Sequence, residues 1–393
     1  MIGLFNECFP PVMDGVSMTV SNLAKNLHEQ GHDLCVVTPD EPGLQPSKYP
    51  FMVCPYFSLP VPMRHPYRYG IPFVDPMYQY QINKTPFDVV HAHCPFSSGK
   101  EALRIARRLD IPLIATFHSK YRDDFARIIH NETLLDHIIH QIVQFYESAD
   151  EVWIPQESVG ETLRSYGYHG ALTVVDNGSE YADMPFDDDT RIRARQEMNI
   201  HDDEPLLLFV GQHIWEKNLK LILSSLHRLK GLRWHMLFVG DGYARAAMMQ
   251  MASRLELTSD SDEEANRVTF LGCVHDREKL RRIYAAADLM LFPSLYDNAP
   301  LVVREAAALR TPSLVVRNSN TAEVIFDSYN GFMADNNVDS YSTRLSMLLQ
   351  RPGLISHAGD MASRTLVRSW ADISEEVADR YMHLIARKQR KIV

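Results

Sequence analysis

The sequence predicts an α/β protein with two Rossmann-like, doubly wound domains facing each other across a cleft. Short apolar runs alternate with segments of helical periodicity, which is the pattern of parallel sheets with crossover helices. This alternation stops at a polar, charge-dense stretch and then restarts. The chain of 393 residues is also longer than one hydrophobic core usually grows. We therefore expect domains at 1–182 and 205–368, a linker at 183–204, and a C-terminal helix within 369–393.

The elements of the first domain follow from its apolar periodicity. A strand at Ile2–Phe5 leads through a loop into a helix from about Val16 to Gln30, which ends at Gly31 because glycine commonly ends helices. Further strands are predicted at 33–39, 88–93, 112–118, 151–155 and a segment reaching 173–178, with helices at 97–109 and near 121–147 and a short one before the last strand.

The second domain repeats this pattern. Its strands are predicted at 206–211, 234–240, 268–272, 288–294, 313–316 and 322–325, and its helices at 218–230, 243–256, 276–287 and after Pro300. The amphipathic C-terminal helix is expected to cross back and pack on the first domain.

Composition narrows the classes of function. A formal charge of −10 and a pI near 5.9 argue against nucleic acid as the main partner, since phosphate binding usually leaves a basic surface. The five cysteines lack C-x-x-C spacing, which gives metal binding through sulfur little support, and their odd number suits reduced thiols in a cytosolic protein. We expect no signal peptide and no membrane span, because no basic n-region and no run of about 18 apolar residues is present.

Candidate ligand-binding residues follow the predicted strands, where open parallel sheets bind ligands. Asp14 and Gly15 follow the first strand, and a glycine there lets a phosphate approach the next helix. In the second domain, Lys217 is placed to neutralise a diphosphate and Glu216 to orient it, and Gly242 again permits close backbone approach. The alternative is that Glu216 and Lys217 are an exposed pair that opens a helix.

Two acids flank the start of the helix that follows Pro300. Asp297 lies just before this helix and Glu305 in its second turn, so a sugar docked there meets two carboxylates and the free N–H groups near 299–302. Acids that accept hydrogen bonds from neighbouring hydroxyls suit a hexose and a ribose. The alternative, that Asp297 caps the helix and Glu305 is exposed, stays open at this point.

The order of these motifs resembles that of family 4 retaining glycosyltransferases of the GT-B fold, over nearly the whole chain. The segments are "FPPVMDGV", "DVVHAH", "TFHSKY", "VVDNGSE", "FVGQHIWEKNL", "MLFVGDG", "VTFLG", "ADLMLFPSLYDNAPLVVREAAAL" and "NTAEVIFDSYNGF". The chain is identified as a divergent member of this family.

The resemblance implies a role for each matching residue. Glu305 matches the acid that binds the nucleotide ribose, Asp297 the acid that contacts the donor sugar, and Lys217 the lysine on the diphosphate. His118 matches a histidine beside the reacting carbon, and Glu323 is implied on the nucleotide side. The implied catalytic residues are His118, Lys217 and Asp297, and the implied donor-binding residues are Asp14, Gly15, Gly211, Gln212, Lys217, Gly240, Asn298, Ala299, Pro300, Leu301, Val302 and Glu305.

Three departures from the family pattern bear on activity. The first acid is Asp297 rather than glutamate, Gln212 replaces a phosphate-binding arginine, and "DNAP" replaces the usual turn. They keep open a catalytically silent sugar-nucleotide-binding subunit as an alternative. A sugar-nucleotide epimerase is a further alternative, but it needs catalytic acids from both domains, and these are not found.

The implied reaction is transfer of a hexose from a nucleotide diphosphate sugar to a hydroxyl, without a cofactor or a metal. The acceptor is a lipid or a carbohydrate, and the implied location is cytoplasmic, with peripheral contact at the inner face of the membrane left open. Aromatic-rich 66–80 and helix 121–147 are the candidate membrane contacts, although core packing explains most of the helix more simply. His91 and His93 are expected to pack in the core rather than line the acceptor site.

Overall fold

The computed structural model describes residues 1–62, 66–198, 200–201, 203–258 and 267–390, with the side chain of Asp188 outside the description. The chain divides into two compact units, one formed by Met1–Gly178 with Trp370–Val393 and the other by Ser179–Ser369. Each unit contains a parallel sheet with helices along it, so the predicted class of two doubly wound α/β domains is confirmed. Residues 391–393 of the predicted C-terminal helix lie outside the described residues.

The first unit contains a seven-stranded parallel sheet in the order β3-β2-β1-β6-β7-β8-β9, and β4 and β5 form a separate antiparallel pair. Numbered in chain order, its elements are β1 (Ile2–Phe5), α1 (Gly15–Glu29), β2 (Leu34–Pro39), β3 (Met52–Tyr56), β4 (Ser58–Pro60), β5 (Arg68–Gly70), α2 (Pro76–Lys84), β6 (Val89–Ala92), α3 (Ser97–Leu109), β7 (Leu113–Thr116), α4 (Tyr121–Ala126), α5 (Glu132–Glu147), β8 (Glu151–Ile154), α6 (Glu157–Ser165), β9 (Thr173–Val174) and α14 (Trp370–Arg390). Short 3₁₀ turns lie at Pro46–Lys48 and Pro72–Val74.

The C-terminal helix α14 lies in the first unit and packs beside α1. Gln30 Nε2 donates to the carbonyl of Ala371 at 2.9 Å, and the ring of Tyr381 stacks on that of Trp153. These contacts join the end of the chain to its first helix and to the sheet.

The second unit contains a six-stranded parallel sheet in the order β12-β11-β10-β13-β14-β15. Its elements are α7 (Asp188–Glu197), β10 (Leu206–Val210), α8 (Leu219–Arg228), β11 (His235–Val239), α9 (Arg245–Arg254), β12 (Val268–Gly272), α10 (Arg277–Ala286), β13 (Leu289–Phe292), α11 (Leu301–Ala308), β14 (Ser313–Val316), β15 (Phe332–Ala334), α12 (Val338–Leu349) and α13 (Pro352–Thr365), with 3₁₀ turns at Trp215–Lys217 and Asn320–Val324. The apolar runs of the sequence form the buried strands, as their lack of alternation predicts.

Two predicted elements differ from the structure. The helix predicted near 121–147 is two helices, because Asn131 accepts a hydrogen bond from the backbone N–H of Leu134 and so begins α5 anew. The strand predicted at 322–325 is largely a 3₁₀ turn, in which the Ser319 hydroxyl accepts from the N–H of Ala322. Local capping overrides the apolar pattern in both places.

The segment predicted as a linker, 183–204, belongs to the second unit. Its helix α7 is held by buried Arg195, which donates to the carbonyl of Ala286 at 2.9 Å and to Asp288 Oδ2 at 3.1 Å. Arg191 donates to a second oxygen of Asp288. These partners are distant in sequence, so the sequence does not show that Arg195 and Arg191 pair with them. The local density of charge therefore predicted a linker instead.

Within the described part of the chain, no helix is long and apolar enough to cross a membrane.

Candidate functional site

In the second unit, the strand order reverses between β10 and β13, which lie side by side at the centre of the sheet. Ligands of doubly wound sheets bind at such a point, beyond the carboxyl ends of the strands. The loop after β10 runs through 211–218 and the loop after β13 through 293–300. The candidate donor residues of the second domain lie mainly on these two loops and on the helix that follows the second.

Lys217 and Asp297 meet at this edge of the sheet. Lys217 Nζ lies 3.0 Å from Asp297 Oδ1, and the two side chains are only 10% and 18% exposed. Asp297 Oδ2 is buried and has no hydrogen-bond partner among the described residues. The pair therefore holds an ammonium and one unpaired carboxylate oxygen, and Lys217 is not the exposed residue of the alternative interpretation.

Glu216, expected to orient Lys217, instead accepts a hydrogen bond from the Tyr243 hydroxyl at 2.5 Å. The residue that orients the ammonium is Asp297.

Glycines let the loops after β10 and β11 approach closely. A Cβ on Gly211 would lie 3.2 Å from Lys217 Nζ, and one on Gly240 would lie 2.0 Å from the carbonyl oxygen of Gly211. Both glycines have positive φ, +147° and +131°, which other residues rarely adopt. A Cβ on Gly242 would lie 2.5 Å from the carbonyl oxygen of His213. The close approach of the loop that carries Lys217 to the loop after β11 therefore requires glycine at these positions.

Glu305 is buried, with 7% of its surface exposed, so the alternative of an exposed residue is wrong. Its Oε1 accepts from Arg277 Nη2 at 2.6 Å and its Oε2 from the Tyr284 hydroxyl at 2.9 Å. Arg277 in turn donates from Nε to Glu180 at 2.7 Å. The sequence analysis missed Arg277, Tyr284 and Glu180, although an arginine that opens the helix after a strand was a visible signal.

The first turn of α11 follows the loop that carries Asp297. Pro300 is the residue before α11. Asp297 does not cap this helix, and its Oδ1 accepts from Lys217 Nζ instead. Asn298 is buried and accepts from Asn320 Nδ2 at 3.0 Å. The N–H groups of Leu301 and Val302 open the helix, where N–H groups lack intrahelical acceptors.

The remaining predicted residues of this unit lie nearby in sequence. Gln212 is exposed, Ala299 is half-buried beside Pro300, and Glu323 lies in the turn Asn320–Val324.

In the first unit, Asp14 caps α1. Its Oδ1 accepts from the N–H of Ser17 at 2.8 Å, while the Ser17 hydroxyl accepts from the N–H of Asp14 at 3.1 Å. Gly15 is the first residue of this helix, and a Cβ there would meet nothing within 4 Å. Asp14 thus has a structural role, and its contact with a donor stays a prediction.

The N-terminus of α3 is bound by Glu7, which the sequence analysis missed. The Glu7 carboxylate accepts from the backbone N–H groups of Ser97 and Ser98 at 3.1 and 3.0 Å and from both of their hydroxyls. Glu7 therefore neutralises this helix end, which lies beside the exit of β1.

His118 follows β7 and lies half-buried beside two buried histidines, His93 and His91. His118 Nε2 lies 3.1 Å from His93 Nδ1 with the rings stacked, and His91 hydrogen-bonds Tyr381 and Thr116 at 2.6 Å each. Burial lowers the pKa of His118 to about 4, so the imidazole is neutral at physiological pH. The expectation that His91 and His93 pack in the core agrees with their burial.

Among the described residues, no group of three or more His, Cys, Asp or Glu side chains is arranged to hold a metal ion. The expectation that hexose transfer needs neither a metal nor a cofactor stays a prediction.

Comparison with known proteins links these features to a family. A family model described as Glycosyltransferase Family 4 matches residues 13–180, and one described as Glycosyl transferases group 1 matches residues 190–364. The chain is 26% identical over 394 residues to the alpha-monoglucosyldiacylglycerol synthase of Streptococcus pneumoniae, which covers 97% of this chain and 84% of that protein.

Two solved structures share the fold. Sucrose-phosphate synthase from Thermosynechococcus elongatus superposes with a TM-score of 0.80 at 19% identity, over 98% of this chain and 99% of that one. HepE from Anabaena, in complex with UDP and glucose, superposes with a TM-score of 0.75 at 15% identity, over 96% of this chain and 98% of that one.

Proposed function

We propose that this chain, which belongs to glycosyltransferase family 4 and is a hexosyltransferase with the GT-B fold, uses a lipid acceptor. In the proposed reaction it transfers a hexose from a nucleotide diphosphate sugar to the hydroxyl of that lipid at a membrane surface. The observation that carries the lipid acceptor is an exposed apolar face on the first unit. The donor half of the proposal is supported by the ion pair of Lys217 and Asp297 at the carboxyl edge of the second sheet.

In the proposed donor complex, the diphosphate binds Lys217 and the N-terminus of α11. A helix N-terminus is positive, and an ammonium adds a full charge, so both attract the diphosphate. As Lys217 turns to the phosphate, Asp297 accepts hydrogen bonds from hydroxyls of the hexose, first at Oδ2, which has no partner among the described residues. Glu305 accepts hydrogen bonds from the ribose hydroxyls. The UDP and glucose bound by HepE are the kind of ligands this site suits.

The proposed transfer forms a bond between the acceptor oxygen and the anomeric carbon and breaks the bond between that carbon and the diphosphate. The acceptor's proton passes to a diphosphate oxygen, and we infer that the anomeric configuration is retained. Negative charge grows on the departing diphosphate, so Lys217 contributes most in the transition state. The contact of His118 with the donor sugar stays a prediction from sequence.

The proposed acceptor surface, here called the apolar face, comprises 57–62 and 66–80. Phe73 and Met77 are each 78% exposed, and Leu59 faces Tyr69 across the antiparallel pair of β4 and β5. Tyr80 on α2 is also exposed. Exposed apolar side chains concentrated on one segment are typical of an interaction surface rather than of ordinary solvent-facing protein.

The apolar face is held rigidly on the unit beneath it. Asp75 caps α2 by accepting from the N–H of Tyr78 at 3.0 Å, and it accepts from the N–H of Phe57 at 3.1 Å. Buried Tyr78 donates to Glu101 on α3 at 3.0 Å, and Ile82 is fully buried. Helix α2 therefore buries one side and leaves Met77 on the other, as an interfacial helix does.

Helix α5, the other candidate membrane contact, turns most of its apolar residues inward, although Leu134 is exposed. Leu135, Ile139, Ile142 and Val143 are all buried in the core of the first unit. This agrees with core packing as the simpler explanation and leaves the apolar face as the proposed contact, at the cytoplasmic face of a membrane.

The proposal is tested by supplying the purified protein with radiolabelled UDP-glucose or GDP-mannose and vesicles containing diacylglycerol. We expect label to enter the lipid fraction, and the label to stay with the donor when Lys217→Ala replaces the wild type. Transfer to soluble sugars but never to lipid would refute the lipid acceptor. A wild type that turns over no donor would instead favour the silent sugar-nucleotide-binding subunit.

The apolar face has its own test in the variant Phe73→Ser with Met77→Ser. Full burial of such a side chain is worth about 1.5–3 kcal/mol, so we expect at least about tenfold weaker sedimentation with vesicles. Phe326→Ser is the matched control, because Phe326 is an exposed aromatic residue of the second unit. Equal binding by the wild type and the double variant would show that lipid does not contact this face.

A further inference from the structure

We propose that Arg277 is a positioning residue of the donor site, which holds the Glu305 carboxylate in the orientation that receives the two ribose hydroxyls of the nucleotide. This inference rests on the proposed function, because it takes Glu305 as the ribose contact. The sequence resemblance assigned no role to Arg277. It acts on the nucleotide through Glu305.

The Arg277 guanidinium is fixed by groups on different sides. Its Nε donates to Glu180 Oε2 at 2.7 Å while its Nη2 donates to Glu305 Oε1 at 2.6 Å. The ring of Tyr181 lies 5.3 Å from the guanidinium carbon, and the Tyr181 hydroxyl donates to the Arg277 carbonyl at 3.0 Å. A planar guanidinium presents its donors in a fixed fork, so it cannot turn without losing one of these bonds.

Glu305 is thereby held at both of its oxygens. Arg277 occupies one position on Oε1, and the fully buried Tyr284 occupies one on Oε2 at 2.9 Å. Each carboxylate oxygen offers two lone pairs, so one acceptor position remains on each oxygen. Two acceptor positions at the separation of a carboxylate match two neighbouring hydroxyls. A ligand that meets a carboxylate already held in place loses less entropy on binding than one that must order it.

Charge supports the same role. Burial alone lowers the pKa of Arg277, but the carboxylates of Glu305 and Glu180 outweigh it and raise the pKa above the ordinary range. Arg277 is therefore a permanent cation between two acids. Without it, Glu305 and Glu180 lose their shared compensating charge, and Tyr284 alone holds the Glu305 carboxylate, at one oxygen.

Glu180 lies two residues beyond Gly178, where the chain enters the second unit. Arg277 on α10 thus ties Glu305 on α11 to the segment that carries Glu180.

The test compares UDP with 2′-deoxy-UDP and 3′-deoxy-UDP, and GDP with its deoxy forms, by calorimetric titration of the full-length protein. In the wild type, we expect loss of a ribose hydroxyl to weaken binding by about 10- to 100-fold, as for a hydrogen bond to a charged group. In Arg277→Met, we expect UDP itself to bind at least about tenfold more weakly and the ratio between UDP and its deoxy forms to fall towards one. In donor kinetics, KM rises while kcat at saturating donor changes little, a split that a general loss of folding does not produce.

Arg282→Met is the matched control, since Arg282 lies on the same helix and pairs with Glu197 on the surface. We expect it to keep the wild-type ratio. A folded Arg277→Met protein with an unchanged ratio would overturn the role of Arg277. If that variant does not fold, Glu180→Gln decides in its place, because it loosens the guanidinium from its other side: a lower ratio supports the role and an unchanged ratio overturns it. A wild type that binds none of the diphosphates would refute the proposed function itself, and with it this inference.

Discussion

Replacing Lys217 by methionine removes the ammonium at the centre of the proposed donor site and keeps the length of the side chain. In the wild type this ammonium lies 3.0 Å from Asp297 Oδ1, and both side chains are largely buried. The variant leaves the Asp297 carboxylate without its cation, at the place where the diphosphate is proposed to bind. Two unfavourable effects therefore add, a lost attraction and a new repulsion.

The size of the effect follows from the geometry. Two unit charges about 4 Å apart interact by about 4 kcal/mol at the effective dielectric constant of about 20 that suits such partly buried pairs. Loss of one preorganised group that stabilises charge in the transition state costs about 2.7–4 kcal/mol, or about 10²–10³ in kcat. We expect kcat/KM for the donor to fall by at least about a thousandfold. Removing the unpaired acid as well, in Lys217→Met with Asp297→Asn, is expected to restore part of the affinity for nucleoside diphosphate.

The assay measures release of nucleoside diphosphate and transfer of label to vesicles at several donor concentrations, so that kcat and KM are separated. Lys220→Met is the control, because Lys220 is an exposed lysine close in sequence that stacks over the Trp215 ring. A Lys217→Met protein whose kcat/KM stays within about threefold of the wild type would refute the assignment of Lys217 to the leaving group.

Three further changes test other parts of the second unit. Gly211→Ala should raise the donor KM, measured by kinetics, and lower the melting temperature, measured by calorimetry, because φ is +147° and the new Cβ lies 3.2 Å from Lys217 Nζ. Gly231→Ala is the control and should change neither quantity, because a Cβ there meets nothing within 4 Å. Burial lowers the pKa of His213 from 6.5 to about 4, so the folded protein takes up a proton less readily than the unfolded chain. The resulting contribution to the free energy of unfolding is complete above pH 6.5 and is lost as the pH falls towards 4. His213→Phe should therefore flatten the decline in melting temperature over that range, and an unchanged slope would contradict this account. Arg195→Met leaves Arg191 as the partner of Asp288 but removes the buried donor to three backbone carbonyls, so it should lower the free energy of unfolding by about 1–3 kcal/mol in urea titrations; an unchanged free energy of unfolding would contradict this role.

The apolar periodicity of the sequence predicted six of the seven strands of the first sheet and five of the six of the second, since parallel strands buried on two sides are continuous apolar runs, but it missed β3 and β15. It also placed α3 at its observed residues and brought Lys217 and Asp297 to neighbouring loops, because the carboxyl ends of parallel strands meet at one edge. It was wrong where capping decided, as at Asn131, and where the partner was distant, as for Arg195 and Asp288. A pattern read along the chain does not contain a bond between residues far apart in it.

The sequence by itself determined the fold class, the two similar halves and the motifs that assign the chain to its family, because each is written in local spacing and residue type. Only the tertiary structure decided which groups face each other. Lys217 pairs with Asp297 rather than Glu216, Glu305 is buried against Arg277, and Phe73 and Met77 are exposed while most apolar residues of α5 are buried. The reason is physical, since burial and charge pairing depend on which elements pack together, and packing joins residues whose separation along the chain carries no signal of their contact.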